Sequence, residues 1–143
     1  MIGIITAIIS GIAMSVQGVF NTRLGEKIGV WETTVIVQGI ALVCALIISF
    51  FCGKGSYSEI RDTNKLYLLG GILGVIITFT VMKSVGSMGP TIGIGTILVA
   101  QLLSAALIDT FGLFDTEKIN FTLNNFIGIS LMIVGIVVFQ WKH

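Results

Sequence analysis

Long runs without a charged residue dominate this sequence and constrain its fold more than any other feature. They predict five helices, over residues 2–21, 30–52, 66–82, 90–108 and 121–141, of which only the second contains a charged residue, Glu32 near its start. A helix needs about 20 apolar residues to cross the hydrocarbon of a bilayer. The third run, with 17 residues, is the shortest. The pattern therefore predicts an all-α integral membrane protein in which residues 1–143 form a single transmembrane domain.

The composition excludes several classes of protein. Only 10% of the residues are charged and 55% are hydrophobic, whereas about a quarter are charged in a typical soluble domain. A basic nucleic-acid-binding face is excluded, and little polar sequence remains for a catalytic domain outside the membrane. HExxH and GxSxG motifs are absent, as is a carboxylate pair within a predicted helix. We expect no enzymatic activity, no cofactor and no bound metal.

The distribution of Lys and Arg leaves the orientation in the membrane undecided. Five crossings give four positive residues on the N-terminal side, Lys54, Arg61, Lys65 and Lys118, and four on the opposite side, Arg23, Lys27, Lys83 and Lys142. An excess on the cytoplasmic side normally sets orientation. Two explanations stay open here. Either one local cluster, such as Arg61 with Lys65, determines the orientation, or the chain inserts both ways and pairs with an inverted copy.

Polar side chains inside the apolar runs are the candidate lining of a solute cavity. On the first helix Ser10, Gln17 and Asn21 share one arc. Gln38 and Gln101 lie within the second and fourth runs. An amide in lipid must find a partner, because an unsatisfied polar group there costs several kcal/mol. The partner is either another helix or a bound solute, and the residues alone leave both possibilities open.

Two carboxylates lie at predicted helix ends. Glu32 begins the second helix and Asp109 ends the fourth, followed by a mostly apolar stretch, residues 110–114, that we expect to fold back into the membrane interface. Partial burial would make such a carboxylate a candidate proton carrier. The alternative is an ordinary helix-end charge in the headgroup region.

Glycine spacing identifies candidate helix contacts. Gly70 and Gly74 have GxxxG spacing, and Gly128 and Gly135 are seven residues apart on one face of the fifth helix. Small residues let helices approach closely in lipid. We interpret these glycines as packing residues, and we expect the Gly128/Gly135 face to contact a second copy of the chain.

Several of these motifs together resemble a known transporter family. The segments in question are Ser10–Ala13 with Gln17-Gly18 and Asn21, Gly70–Gly74, Gln101-Leu102 with Ser104 and Asp109, Phe111–Phe114, and Gly128 with Gly135. They resemble the YdcZ-type branch of the drug/metabolite transporter superfamily over about residues 10–139. The chain departs from that pattern at Thr110, where family members often have His, and at Asn124 and Asn125, where they often have Arg.

The resemblance implies a five-helix half-transporter that pairs, antiparallel, into a ten-helix unit. It also implies a multi-pass protein of a bacterial-type plasma (inner) membrane that exports a small-molecule solute. The neutral amides favour a small polar or weakly charged metabolite or drug-like solute, moved by secondary-active transport. Its partners would be that solute, the lipid bilayer and an inverted copy in a homodimer, with no nucleic acid. The alternative is a non-transporting membrane subunit that packs against a homologous chain.

Overall fold

Five α-helices account for most of the protein. The structure, a computed structural model, describes residues 1–119 and 122–141. The helices are α1 (Ile2–Ile28), α2 (Val30–Cys52), α3 (Gly70–Met88), α4 (Pro90–Phe111) and α5 (Leu123–Gln140). Short 3-10 segments cover Tyr57–Arg61, Lys65–Leu69 and Leu113–Asp115. No strand occurs in the described part of the chain. The fold divides into two compact units, Met1–Lys83 and Ser84–His143.

The lengths and composition of the helices agree with a membrane protein. Among the described residues, four segments are long and apolar enough to cross a bilayer: Ile2–Ile28, Val30–Cys52, Lys65–Met88 and Pro90–Phe111. Leu123–Phe139 is a shorter apolar helix. The all-helical prediction is therefore confirmed, and the crossing by α5 stays a prediction. Residue 121, the predicted start of the fifth helix, and Lys142, one of the counted charges, lie outside the described residues.

Two helices extend well beyond their predicted C-terminal ends. Helix α1 continues from Asn21 to Ile28, with Arg23 and Glu26 paired on its exposed side at 3.1 Å. Helix α3 continues past Lys83 to Met88, so Lys83 lies within the helix. Each predicted end was placed just before a charged residue, Arg23 or Lys83. A charge near the membrane surface does not break a helix, however. In each case the helix instead ends directly before a glycine, Gly29 or Gly89.

Each unit contains one abrupt corner formed by a single glycine. Gly29 joins α1 to α2 with φ 100°, and Gly89 joins α3 to α4 with φ 80°. Only glycine adopts such a backbone without strain. Each glycine N–H donates to the carbonyl oxygen four residues earlier, Gly25 or Val85. Each glycine carbonyl then accepts from the amide four residues later. The corners thus continue the backbone hydrogen bonding while the helix direction changes.

Most large apolar side chains of the described residues face outward. In this part of the chain, Met82 and Val85 are the buried apolar side chains. Residues that are more than half exposed occur on every helix, for example Ile9, Val43, Ile76, Leu107 and Val134. A continuous apolar surface of this kind needs lipid or another apolar chain against it. This distribution is the one expected of helices embedded in a bilayer.

Candidate functional site

The α1–α2 corner buries polar side chains. Asn21, Thr22, Thr33 and Thr34 are all less than 9% exposed, and we call these four residues the corner cluster. Gly25 makes the close packing here possible. A Cβ atom at Gly25 would lie 3.4 Å from Sδ of Met82 on α3 and 3.8 Å from Oγ1 of Thr33 on α2. The three helices of the first unit therefore meet at a residue without a side chain.

The hydroxyl groups of the corner cluster differ in their hydrogen bonding. Oγ1 of Thr22 donates to the Gly18 carbonyl at 2.7 Å, and Oγ1 of Thr34 donates to the Val30 carbonyl at 2.8 Å. These bonds to the preceding helical turn satisfy the hydroxyls locally. Thr33 is fully buried, and its Oγ1 has no hydrogen-bond partner among the described residues. An unsatisfied buried hydroxyl costs about 1–3 kcal/mol, so this atom is a candidate for a functional contact.

Gln38 links α2 to α3. Its Nε2 donates to Oγ1 of Thr78 at 3.4 Å, and Thr78 in turn donates to the Gly74 carbonyl at 2.9 Å. A Cβ atom at Gly74 would lie 3.4 Å from the same Nε2, so the absence of a side chain there lets the amide approach. Gly74 is thus a packing residue within the chain. The Oε1 atom of Gln38 accepts no hydrogen bond from another described residue.

The other candidate cavity residues of α1 are on its outer surface. Ser10 and Gln17 are exposed, although Gln17 lies only one turn before the buried Asn21. The Gln17 amide has no hydrogen-bond partner among the described residues. In the second unit Gln101 is also exposed and equally without a partner in that part of the chain. It lies 11 residues after Pro90 and 10 before Phe111, at the middle of α4.

The two candidate proton carriers occupy different surroundings. Glu32 is exposed in the first turn of α2, and its carboxylate lies directly over Gly29. Asp109 is half-buried near the end of α4. After Asp109 the chain does turn back on itself, and the Ile119 N–H donates to the Asp109 carbonyl at 2.9 Å. Among residues 1–119 and 122–141, Asp109 forms no ion pair, so no described cation neutralises it.

A cavity of about 590 Å³ lies between α4 and α5. We call it the α4–α5 groove; it is lined by Leu102, Ala105, Ala106, Asp109, Asn124, Asn125, Gly128, Ile129 and Met132. Its polar groups are the carboxylate of Asp109 and the two neighbouring amides, which come from the first turn of α5. The remaining lining is apolar. The volume falls within the range of about 300–1,000 Å³ typical of small-molecule sites.

The remaining candidate glycines are open. A side chain at Gly70, Gly128 or Gly135 would meet no described atom within 4 Å. Gly128 borders the α4–α5 groove, whereas Gly135 lies seven residues, or about two helical turns, further along α5. These glycines therefore make no close helix contact inside the described chain. That leaves their faces available for lipid or for a second copy.

Sequence reasoning missed two parts of this arrangement. It did not single out Thr33, because one threonine near a helix start carries no distinguishing signal. It considered Asn124 and Asn125 only as departures from a family pattern, whereas they line the same groove as Asp109. The sequence does contain a signal for this groove. It is a pair of adjacent amides at the start of an apolar helix, one loop after a carboxylate at a helix end.

Comparisons with known proteins address the family of the chain. A family model described as "Putative inner membrane exporter, YdcZ" matches residues 2–138. The search of the curated proteins and that of the solved structures find no match. The matched range includes all of α1 to α4, most of α5, the corner cluster and the α4–α5 groove.

Proposed function

The chain belongs to the YdcZ family, and on that premise and the family's description we propose that it is a secondary-active exporter of a small polar or weakly charged solute. It is a multi-pass inner membrane protein, and membership of an exporter family points away from an enzyme. The family assignment does not specify the solute class, the coupling or the assembly, for which individual side chains provide the support.

The observation that carries the proposal is the position of two unpaired amides, Gln17 and Gln101. Both are exposed on apolar helices and have no hydrogen-bond partner among the described residues. Gln101 lies about 15 Å from either end of α4, at a rise of about 1.5 Å per residue. An amide at that depth cannot remain in lipid tails without a cost of several kcal/mol. A polar cavity formed with another chain would satisfy it, and a hydrogen-bonding solute could then bind there.

We propose that this other chain is an inverted copy of the same protein. The equal division of positive residues between the two sides supports insertion in both orientations. An antiparallel pair of five-helix chains would form a ten-helix transporter with inverted repeats and a site near the midplane. In this assembly Ser10 and Oε1 of Gln38 add to the polar lining, whereas Asn21 is buried in the corner cluster. Proton coupling, if the export uses it, would involve Glu32 or Asp109.

Transport by purified protein tests the function. Neutral and singly charged metabolites are first screened for those that raise the melting temperature, and the radiolabelled hits are then followed in proteoliposomes. Gln17→Leu and Gln101→Leu should abolish most of the flux while helical content is kept, because leucine preserves approximate size and removes the hydrogen bonds. Ile12→Leu and Leu98→Ile, exposed apolar changes on the same two helices, should transport normally.

Two outcomes would contradict the transport proposal. If wild-type protein forms the dimer but moves no stabilising solute, the chain is a packing partner of a homologous protein. If Gln17→Leu and Gln101→Leu both transport at the wild-type rate, the solute site lies elsewhere.

Reporter fusions test the inverted pairing. A reporter at the C-terminus should be active on both sides of the membrane in wild-type protein. Two or three added Lys residues between Tyr57 and Asn64 should shift its activity strongly to one side, because the charge bias is then no longer balanced. Activity confined to one side in the unmodified protein would exclude dual topology.

The exposed face of α5 is the proposed dimer contact. Gly135→Leu should weaken cross-linking between two copies, because the helices could no longer approach closely. Gly3→Leu, also in open space, is the matched control. An unchanged dimer in Gly135→Leu would place the contact on another helix.

A further inference from the structure

The α4–α5 groove has a polar end and an apolar end. Asp109, Asn124 and Asn125 form the polar end, and Leu102 and Met132 mark the other. Asp109 is seven residues from Leu102, and Asn125 is seven residues from Met132. At about 1.5 Å per residue, the apolar wall therefore extends roughly 10 Å along both helices.

The polarity of the groove follows the direction across the bilayer. Asp109 lies two residues before the last residue of α4, and Asn124 and Asn125 lie in the first turn of α5. Helix ends of this kind lie at the membrane surface when the helices span the bilayer. The polar end is then at headgroup level, and the apolar wall extends towards the lipid tails. This is the arrangement that an amphiphile adopts in its own bilayer.

The carboxylate at the polar end of the groove favours a lipid with a cationic headgroup. Asp109 is half-buried and has no cationic partner among the described residues. Lys118 packs near Gly112, yet it forms no ion pair with Asp109. A carboxylate in this setting favours a cation that can donate hydrogen bonds, because charge-assisted bonds are the strong ones. The amides of Asn124 and Asn125 can donate to phosphate or ester oxygens next to that cation.

We propose that the α4–α5 groove binds a phospholipid with a primary ammonium headgroup. The ammonium lies on the Asp109 carboxylate, the phosphate or ester oxygens lie at the two amides, and one acyl chain follows the apolar wall. A soluble long-chain amine shares the ammonium and the chain but lacks the phosphate. The alignment of the groove with the bilayer identifies the lipid as the occupant. This inference does not depend on the transport proposal.

Lipid retention by the purified, delipidated protein tests the site. Phosphatidylethanolamine, phosphatidylcholine and phosphatidylglycerol with identical acyl chains are offered in equal amounts, and bound lipid is counted by native mass spectrometry. Phosphatidylethanolamine should be retained about tenfold more strongly than phosphatidylglycerol, a difference of about 1.4 kcal/mol. Phosphatidylcholine should fall between them, because its quaternary ammonium has no N–H to donate.

Three variants assign the preference to the groove. Asp109→Asn should bring retention of phosphatidylethanolamine and phosphatidylglycerol to about the same level. Glu117→Gln, an exposed carboxylate that does not line the groove, should leave the preference unchanged. Ala105→Leu should fill the apolar wall and reduce retention of all three lipids. If Asp109→Asn does not fold, the competition between the three lipids on wild-type protein still tests the headgroup preference.

Four results would overturn the proposal. Equal retention of the three lipids by wild-type protein would remove the headgroup preference. A preference that survives Asp109→Asn would place the site elsewhere. Binding of dodecylamine without any of phosphatidylethanolamine would identify a soluble amine as the ligand. Dissociation of the dimer in Ala105→Leu, with no lipid bound to the wild type, would show that a second copy covers the groove.

Discussion

The two units use polar side chains in opposite ways. In Met1–Lys83 the corner cluster is buried, and two of its hydroxyls bond to the preceding turn of their own helix. In Ser84–His143 the carboxylate of Asp109 and two amides line an open cavity. The first arrangement buries its polar groups inside the fold, whereas the second leaves them accessible to a ligand.

Residue type alone therefore does not assign a role in an apolar chain. Gln38 and Gln101 are the same side chain on two long apolar helices. Gln38 donates to Thr78 and lies against Gly74, while Gln101 has no partner among the described residues. Since a hydrogen bond already made contributes only modestly and an unmade one is costly, the unpaired amide is the better candidate for solute contact.

Among the predicted effects on stability, we expect the largest from substitution of the two corner glycines. Gly29→Ala and Gly89→Ala should each cost about 1–3 kcal/mol, because both positions require a positive φ. Gly29→Ala should cost slightly more, since the exposed Glu32 carboxylate would have to move away from the new Cβ, whereas a Cβ at Gly89 meets nothing within 4 Å. Unfolding in mixed micelles containing sodium dodecyl sulfate measures both values.

Gly39→Ala, in open space within α2, is the control for these changes and should alter stability little. Equal costs for the two corner variants would show that the Glu32 carboxylate moves away freely. The corner in the first unit would then be no more constrained than the corner in the second.

Removal of a single threonine hydroxyl should change stability less than the glycine substitutions do. The change should have opposite signs at Thr33 and Thr22. Thr33→Val should raise stability by about 1 kcal/mol, because it removes a buried hydroxyl without a partner among the described residues. Thr22→Val should lower it slightly, because that hydroxyl donates to the Gly18 carbonyl. Thermal unfolding in detergent gives both shifts. A loss of stability in Thr33→Val as large as that in Thr22→Val would mean that the Thr33 hydroxyl is satisfied in the folded protein.

The sequence predicts the helices well and the arrangement of the site poorly. Apolar runs place each of the five helices in about the right part of the chain, because a membrane-spanning helix requires apolar length. The ends of α1 and α3 are missed, since single glycines with positive φ decide them and charges near the surface do not. The burial of Asn21 beside the exposed Gln17 depends on how α1 packs on α2, which helical periodicity alone does not contain. The apolar stretch after Asp109 predicts that the chain turns back, but it does not predict which residues of α5 then line the α4–α5 groove.

The proposed role of the unpaired amides is tested most directly by their contact with water. In a background with Cys44→Ala and Cys52→Ala, single cysteines replace Gln17, Gln101, Ile12 or Leu103, and proteoliposomes are treated with a charged, membrane-impermeant thiol reagent. Gln17→Cys and Gln101→Cys should react, because a water-filled path allows the thiolate to form. Ile12→Cys and Leu103→Cys, which replace exposed apolar residues on other faces of the same helices, should not react. Reaction at neither amide position, or at all four positions equally, would contradict the proposed role.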